Sequence, residues 1–227
     1  MPVDIDPTFS VYHLTERLEE NRQSSVMYSR KTMNQISYQI ENATLIDGAP
    51  TRIFSGFQRM SKFLPQAKRY AKIAGKAESV HVFGINDVPH LPQIPNLTYV
   101  NLTREHQLAK EWFLVSYNKM FASVLATEEI TDFDAPDADR EFKGLWSFDV
   151  RLAALLEEWL THTVGMPELM VREENHNARA QRTLVTKILD RMRERTVGSM
   201  IATDTQEQLR IVIENTLHPI VSQGILQ

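Results

Sequence analysis

Runs of strand composition alternate with amphipathic helical segments along most of this chain, and that alternation leaves few architectures open. Residues 80–85, 97–102, 111–117, 121–127 and 142–146 are rich in β-branched and aromatic side chains. Between and around them, apolar residues return at spacings of three and four: Val11, Leu14 and Leu18, then Met33, Ile36 and Ile40, and later Leu152, Leu155, Leu156, Trp159 and Leu160. A helix with one apolar stripe must bury it against another layer. The pattern predicts an α/β fold, a mixed central sheet with flanking helices, plus a C-terminal helical extension.

Local signals refine that expectation. Ser29 is placed to cap the second helix of residues 10–42. Residues 51–54 read as a short strand leading into a helical stretch that begins near Gly56, and Pro65 within it predicts a kink or a fresh helix start. Beyond it, Ala67, Tyr70, Ala71, Ala74 and Ala77 share one helical face, with Lys68, Arg69, Lys72 and Lys76 opposite. Pro89, Pro92 and Pro95 suit a connection between strands, although prolines so spaced can also offer a polyproline II ligand. Asn118, Lys119 and Met120 join two strands as a hairpin, and Ser147 or Asp149 caps the helix that follows residue 149.

Gly165 and Pro167 break the pattern and divide the chain into 1–165 and 166–227. A length of 227 residues fits one large domain or a smaller one with an appendage. The absence of cysteine excludes disulfides, thiolate nucleophiles and cysteine-held metal centres. The net charge of −4 gives no global attraction to polyanions or anionic lipid. The N-terminal residues carry Asp4 and Asp6 with no basic or apolar region of a secretory signal, and no apolar run reaches membrane-spanning length. A cytoplasmic protein is expected, with no membrane insertion and no specific nucleic-acid partner.

Few residues suggest chemistry. The seven histidines have no metal-ligand spacing, and the acidic loop with Asp132, Asp134, Asp137 and Asp139 lacks the glycine turn and flanking helices of a calcium-binding hand. No phosphate-binding glycine loop, dinucleotide fingerprint or serine elbow occurs. No metal, cofactor or catalytic residue is therefore assigned. Charged and aromatic groups at strand ends mark Glu111 and Trp112, and Trp146 and Asp149, as pocket candidates, with core packing as the alternative for the tryptophans.

Five short signatures occur in order: Met27-Tyr28-Ser29-Arg30-Lys31-Thr32, Gly56-Phe57-Gln58-Arg59, Gln66-Ala67-Lys68-Arg69-Tyr70, Glu111-Trp112-Phe113-Leu114-Val115 and Phe142-Lys143-Gly144-Leu145-Trp146-Ser147-Phe148-Asp149. The series resembles the DICT family over roughly residues 10–163. That resemblance implies a sensory domain of the kind joined to diguanylate cyclases and two-component kinases, found in many photosynthetic bacteria. It implies a regulatory protein that binds a small molecule or protein partner and signals by protein–protein interaction. The alternatives are an enzyme on a phosphorylated or nucleotide-like metabolite and a ligand-free adaptor. With Arg69 added, the pocket expectation comprises Arg69, Glu111, Trp112, Trp146 and Asp149.

Two polar helical segments after residue 171 carry narrow apolar faces: Val185, Ile188, Leu189 and Met192 on the first, and Leu209, Val212 and Ile213 on the second. These faces are expected to self-associate in a homodimer, with docking on the chain's own domain as the other solution.

Overall fold

The computed structural model describes residues 5–19, 26–132, 135–136, 139–167 and 175–197. In chain order, the elements are α1 (Val11–Glu19), β1 (Val26–Ser29), α2 (Arg30–Leu45), β2 (Arg52–Arg59), α3 (Met60–Phe63) and α4 (Ala67–Ala74). They continue with β3 (Ser79–Ile85), β4 (Leu97–Leu102), β5 (Glu111–Tyr117), β6 (Ala122–Glu129), β7 (Glu141–Ser147), α5 (Val150–Thr163) and α6 (Ala178–Val197). The strands form one seven-stranded sheet in the order β1-β7-β6-β5-β2-β3-β4. Strands β2, β3 and β4 are mutually parallel, and the other pairings are antiparallel. The expected α/β architecture is present.

Side chains alternate across a strand, so each strand feeds two layers. Ile53, Val80, Val82, Leu114, Leu125, Phe142 and Trp146 meet α2, α4 and α6 on one face. Phe54, Phe83, Phe113, Val115 and Val124 meet α1 and α5 on the other. Both layers are aromatic-rich, and the sheet lies between them.

Several local expectations change. Strand β2 does not stop at residue 54 but runs through Gly56 to Arg59, and the helical stretch begins only at Met60. A Cβ at Gly56 would come within 2.5 Å of the Phe113 ring, so the glycine lets neighbouring β5 pack closely rather than starting a helix. Four residues before α2 form strand β1, where the reading of residues 10–42 as two helices placed none. Pro65 sits in a 3-10 turn, Leu64–Gln66, that separates α3 from α4. Ala71 is exposed and Ile73 takes the buried position on α4. Asp149 is the cap of α5, accepting from Leu152 N at 2.9 Å. The α5 stripe is rotated: Leu152, Ala153, Leu156 and Leu160 are buried, whereas Leu155 and Trp159 are exposed by 37% and 46%.

Helix α6 docks on the chain's own domain. Val185, Ile188, Leu189 and Met192 are all buried in the layer that contains α2. The face on which self-association was expected is thus covered within the chain. Polar contacts fix the docking: the Gln181 amide accepts from Ala122 N at 2.8 Å and donates to Ala122 O at 2.9 Å, reading the backbone of β6 as a strand would. Arg191 makes a two-pronged ion pair with the buried side chain of Asp47, at 3.1 and 2.8 Å, and donates to Gln39. Leu209, Val212 and Ile213, the acidic-loop residues Asp134 and Asp137, and Glu173 and Glu174 lie outside the described residues.

Candidate functional site

The expected five-residue pocket is divided by the sheet. Glu111 and Trp112 are neighbours on β5, so they point to opposite faces. Glu111 is fully buried on the α1 side and accepts from Ser10 Oγ at 2.5 Å, Val11 N at 3.0 Å and Tyr12 N at 3.2 Å. It acts as a remote cap, its carboxyl oxygens accepting from the amides that the first turn of α1 leaves unpaired. Burial pushes its pKa up to about 8, partly offset by the Ser10 hydroxyl and the Tyr12 and Val11 amides.

Trp112 faces α2, donating from its indole Nε1 to Ser37 Oγ at 3.2 Å and packing edge-on against Phe142 at 5.5 Å. It is only partly buried. Trp146 lies on the same face, fully packed, with its Nε1 donating to Ser123 Oγ at 3.1 Å. Arg69 ties α4 to α2 through Glu41 at 2.5 Å and Asn42 at 2.9 Å, while Tyr70 Oη lies 2.9 Å from both Glu41 and Ser55. Burial raises the Glu41 carboxyl, with the Arg69 charge opposing. Asp149 caps α5. Trp112 and Trp146 therefore share a layer with Arg69, Glu111 belongs to the other, and Asp149 is engaged in capping.

A different group of residues converges where parallel strand β2 ends, next to the point where strand order reverses between β3 and β5. The carboxyl ends of the parallel strands β2 and β3 lie on this side, the side on which parallel α/β sheets commonly receive ligands. Gln58 there adopts φ +63°, the left-handed region that costs a non-glycine residue about 1 kcal/mol or more, and its side chain is buried. The register of β2 against β3 shifts between Gly56 and Arg59, consistent with a bulge at this turn of the chain. The side chain of Gln58 donates to Glu129 Oε2 at 2.8 Å and accepts from Arg140 Nη2. Arg140 in turn grips Glu129 from Nε at 2.5 Å and from Nη2 at 2.7 Å.

This pair brackets the acidic connection between β6 and β7, and both side chains are about 95% buried or more. The guanidinium also lies over the Phe142 ring, 5.2 Å from its centroid, so Arg140, Phe142 and Trp112 form a continuous run toward Ser37 on α2. Buried ion pairs stabilise weakly on balance, but removing one partner strands a charge. The arrangement is better suited to holding one local geometry than to adding stability. In the sequence, Gln58 stands within one of the five signatures, and Glu129 and Arg140 stand within none. Their opposite charges on either side of the 130–139 connection were the available signal.

At the far end of the sheet, Arg52 pairs with Glu157 at 2.9 Å and reaches Pro167 O at 3.0 Å. His81, buried and stacked on Phe54, has its pKa lowered to about 4 by burial and by the Arg52 charge. Among the described residues, no cluster of three or more His, Cys, Asp or Glu side chains is arranged to hold a metal ion, and no helix is long and apolar enough to cross a membrane.

Two outcomes check this geometry. Gln58→Ala and Gln58→Gly both lose the contacts with Glu129 and Arg140, but only alanine retains the backbone strain. The glycine variant should exceed the alanine variant in stability by about 1 kcal/mol in urea unfolding, and equality would remove the left-handed assignment.

Glu111 supplies the second. Its raised pKa means the folded state holds the proton more tightly, so its stabilising contribution is full below the ordinary value of 4.5 and is lost as pH rises toward about 8. The stability of the natural protein relative to Glu111→Gln should fall across that window. A difference independent of pH, or one that grows, contradicts the assignment.

A family model described as a sensory domain in diguanylate cyclases and two-component systems, DICT, matches residues 8–129. No curated protein matches the sequence. Among solved structures, the crystal structure of polyphosphate kinase from Porphyromonas gingivalis is similar at 14% identity and a TM-score of 0.40, over 80% of this chain and 31% of that one. The chain thus spans about a third of that kinase's length.

Proposed function

The chain belongs to the DICT family of sensory domains, and from that premise we propose that it is a regulatory protein that binds a small molecule or a protein partner. The family match over residues 8–129 carries this reading. The output is a protein–protein interaction, and the protein works in the cytoplasm without catalysing a reaction. Family membership supports a sensory role, and the end of β2 offers a place for it. There, a strained Gln58 is held by the Glu129–Arg140 pair beside half-buried Trp112. Strained backbone held by its surroundings is a recurrent property of switch and ligand-clamp regions.

Of the residues first considered for binding, Trp112 fits best, because it combines an aromatic surface with partial exposure. Glu111, Trp146 and Asp149 are each engaged in fold support. A ligand contacting Trp112 adjoins Phe142 and Arg140, and through them Gln58. Binding there can bias the turn at Gln58, which is the physical content of a sensory role.

The test pairs the intact protein with Trp112→Ala. Thermal midpoints are measured against size-fractionated small-molecule extract, and retained proteins are identified from the same cells. At least one fraction or protein should act on the natural chain and lose its effect on the variant. If no fraction shifts the midpoint and no protein is retained, the reading fails. Chemical conversion of a fraction by the natural chain would favour an enzyme instead.

A further inference from the structure

Strand β4 closes one side of the sheet, pairing with β3 and, among the described residues, with no further strand. Its hydrogen-bonding direction follows from one contact: Val80 N donates to Asn96 O at 3.1 Å. In a parallel ladder, main-chain groups alternate between the two sides of a strand. With Val80 opposite Leu97, the peptide groups of Thr98, Val100 and Leu102 turn toward β3, and those of Tyr99 and Asn101 turn to the open edge. No described residue supplies a backbone partner to Tyr99 or Asn101 on that side.

Exposed edges in natural sheets are usually protected by charge, proline, a bulge or a covering element. The β4 sequence Leu97-Thr98-Tyr99-Val100-Asn101-Leu102 contains no charged residue and no proline, and its register against β3 runs without a shift. Half-buried apolar side chains flank it on the α4 side: Val88, Leu91 and Ile94 from the β3–β4 connection, with Leu97 and Tyr99 of the strand itself. The connection is tied down by the Tyr99 hydroxyl, which donates to Pro92 O at 2.7 Å. The edge is therefore straight, uncharged and bordered by apolar surface.

We propose that this edge is an interface between two copies of the chain, with β4 pairing antiparallel to β4 of the second copy about a two-fold axis at Val100. That register sets Tyr99 opposite Asn101 in both directions, so the outward main-chain groups of each satisfy those of the other. A two-fold pairing places the same uncharged strand on both sides and brings no like charges together, so the edge is complementary to itself. The flanking apolar row is covered in the same event. The two sheets then run as one continuous sheet, and the ends of β2 in both copies stay open.

Sedimentation of the full chain across micromolar concentrations tests this. The natural protein should show a concentration-dependent dimer. Thr98→Lys, at an exposed side chain, should raise the dimer dissociation constant by about tenfold or more, while circular dichroism and thermal midpoint match the natural protein at dilutions where both are monomeric. Asn101→Pro removes an outward N–H while leaving those that bond β3, and it should act in the same direction. A monomer at every concentration overturns the proposal. So does a dimer whose dissociation constant is unmoved by Thr98→Lys, which would place the contact on another surface or strand.

Discussion

The alternation of side chains along β5 is the constraint on which the two halves of the structure depend. Glu111, Phe113, Val115 and Tyr117 face the layer of α1 and α5, and Trp112, Leu114 and Ser116 face the layer of α2, α4 and α6. Because the period is two, a slip of one residue would exchange every one of them. A buried carboxyl group would then meet α2, and an indole would meet the start of α1. Glu111 makes such a slip costly, since its three donors all come from residues 10–12, about a hundred positions away in the chain.

Each layer then uses polar contacts to fix what apolar packing leaves free. Hydrophobic contact holds a helix on a sheet but defines its rotation and slide loosely. Arg69, Glu41 and Tyr70 fix α4 relative to α2, while Gln181 and Arg191 fix α6 relative to β6 and α2. Arg52 and Glu157 fix α5 on the opposite face. Gln58, Glu129 and Arg140 differ in kind, because they hold a backbone turn and not a helix. That distinction singles out the end of β2 as the place where a binding event can be felt.

Much of the architecture was legible because periodicity reports burial directly. Strands β3, β4, β5, β6 and β7 and the hairpin at Asn118 follow from composition and spacing, and the cap of α5 is Asp149, one of the two residues that the sequence offered. Strand β1 was not legible: four residues preceding a helix carry too little pattern, and their pairing with β7 is more than a hundred residues distant. The extension of β2 through Gly56 depends on the Phe113 ring, a tertiary neighbour that local sequence does not name. The site was less legible still. Chemical type suggested that Glu111 and Trp112 act together, yet adjacent residues on a strand are separated by the sheet itself. The docking of α6 in cis was open from the sequence, because a narrow apolar face does not say whose surface will cover it. Gln181 and Arg191, its specific contacts, have partners far away in the chain.

The independence of the two layers can be measured by a double-mutant cycle between Arg69→Met and Glu111→Gln. The first change acts on the α2–α4 contact and the second on α1, across the sheet. Groups without shared partners add to within about 0.5 kcal/mol, so the two destabilisations should sum in urea unfolding at one pH. An interaction energy above about 1 kcal/mol would place Arg69 and Glu111 in one network and contradict the division of the candidate pocket by the sheet.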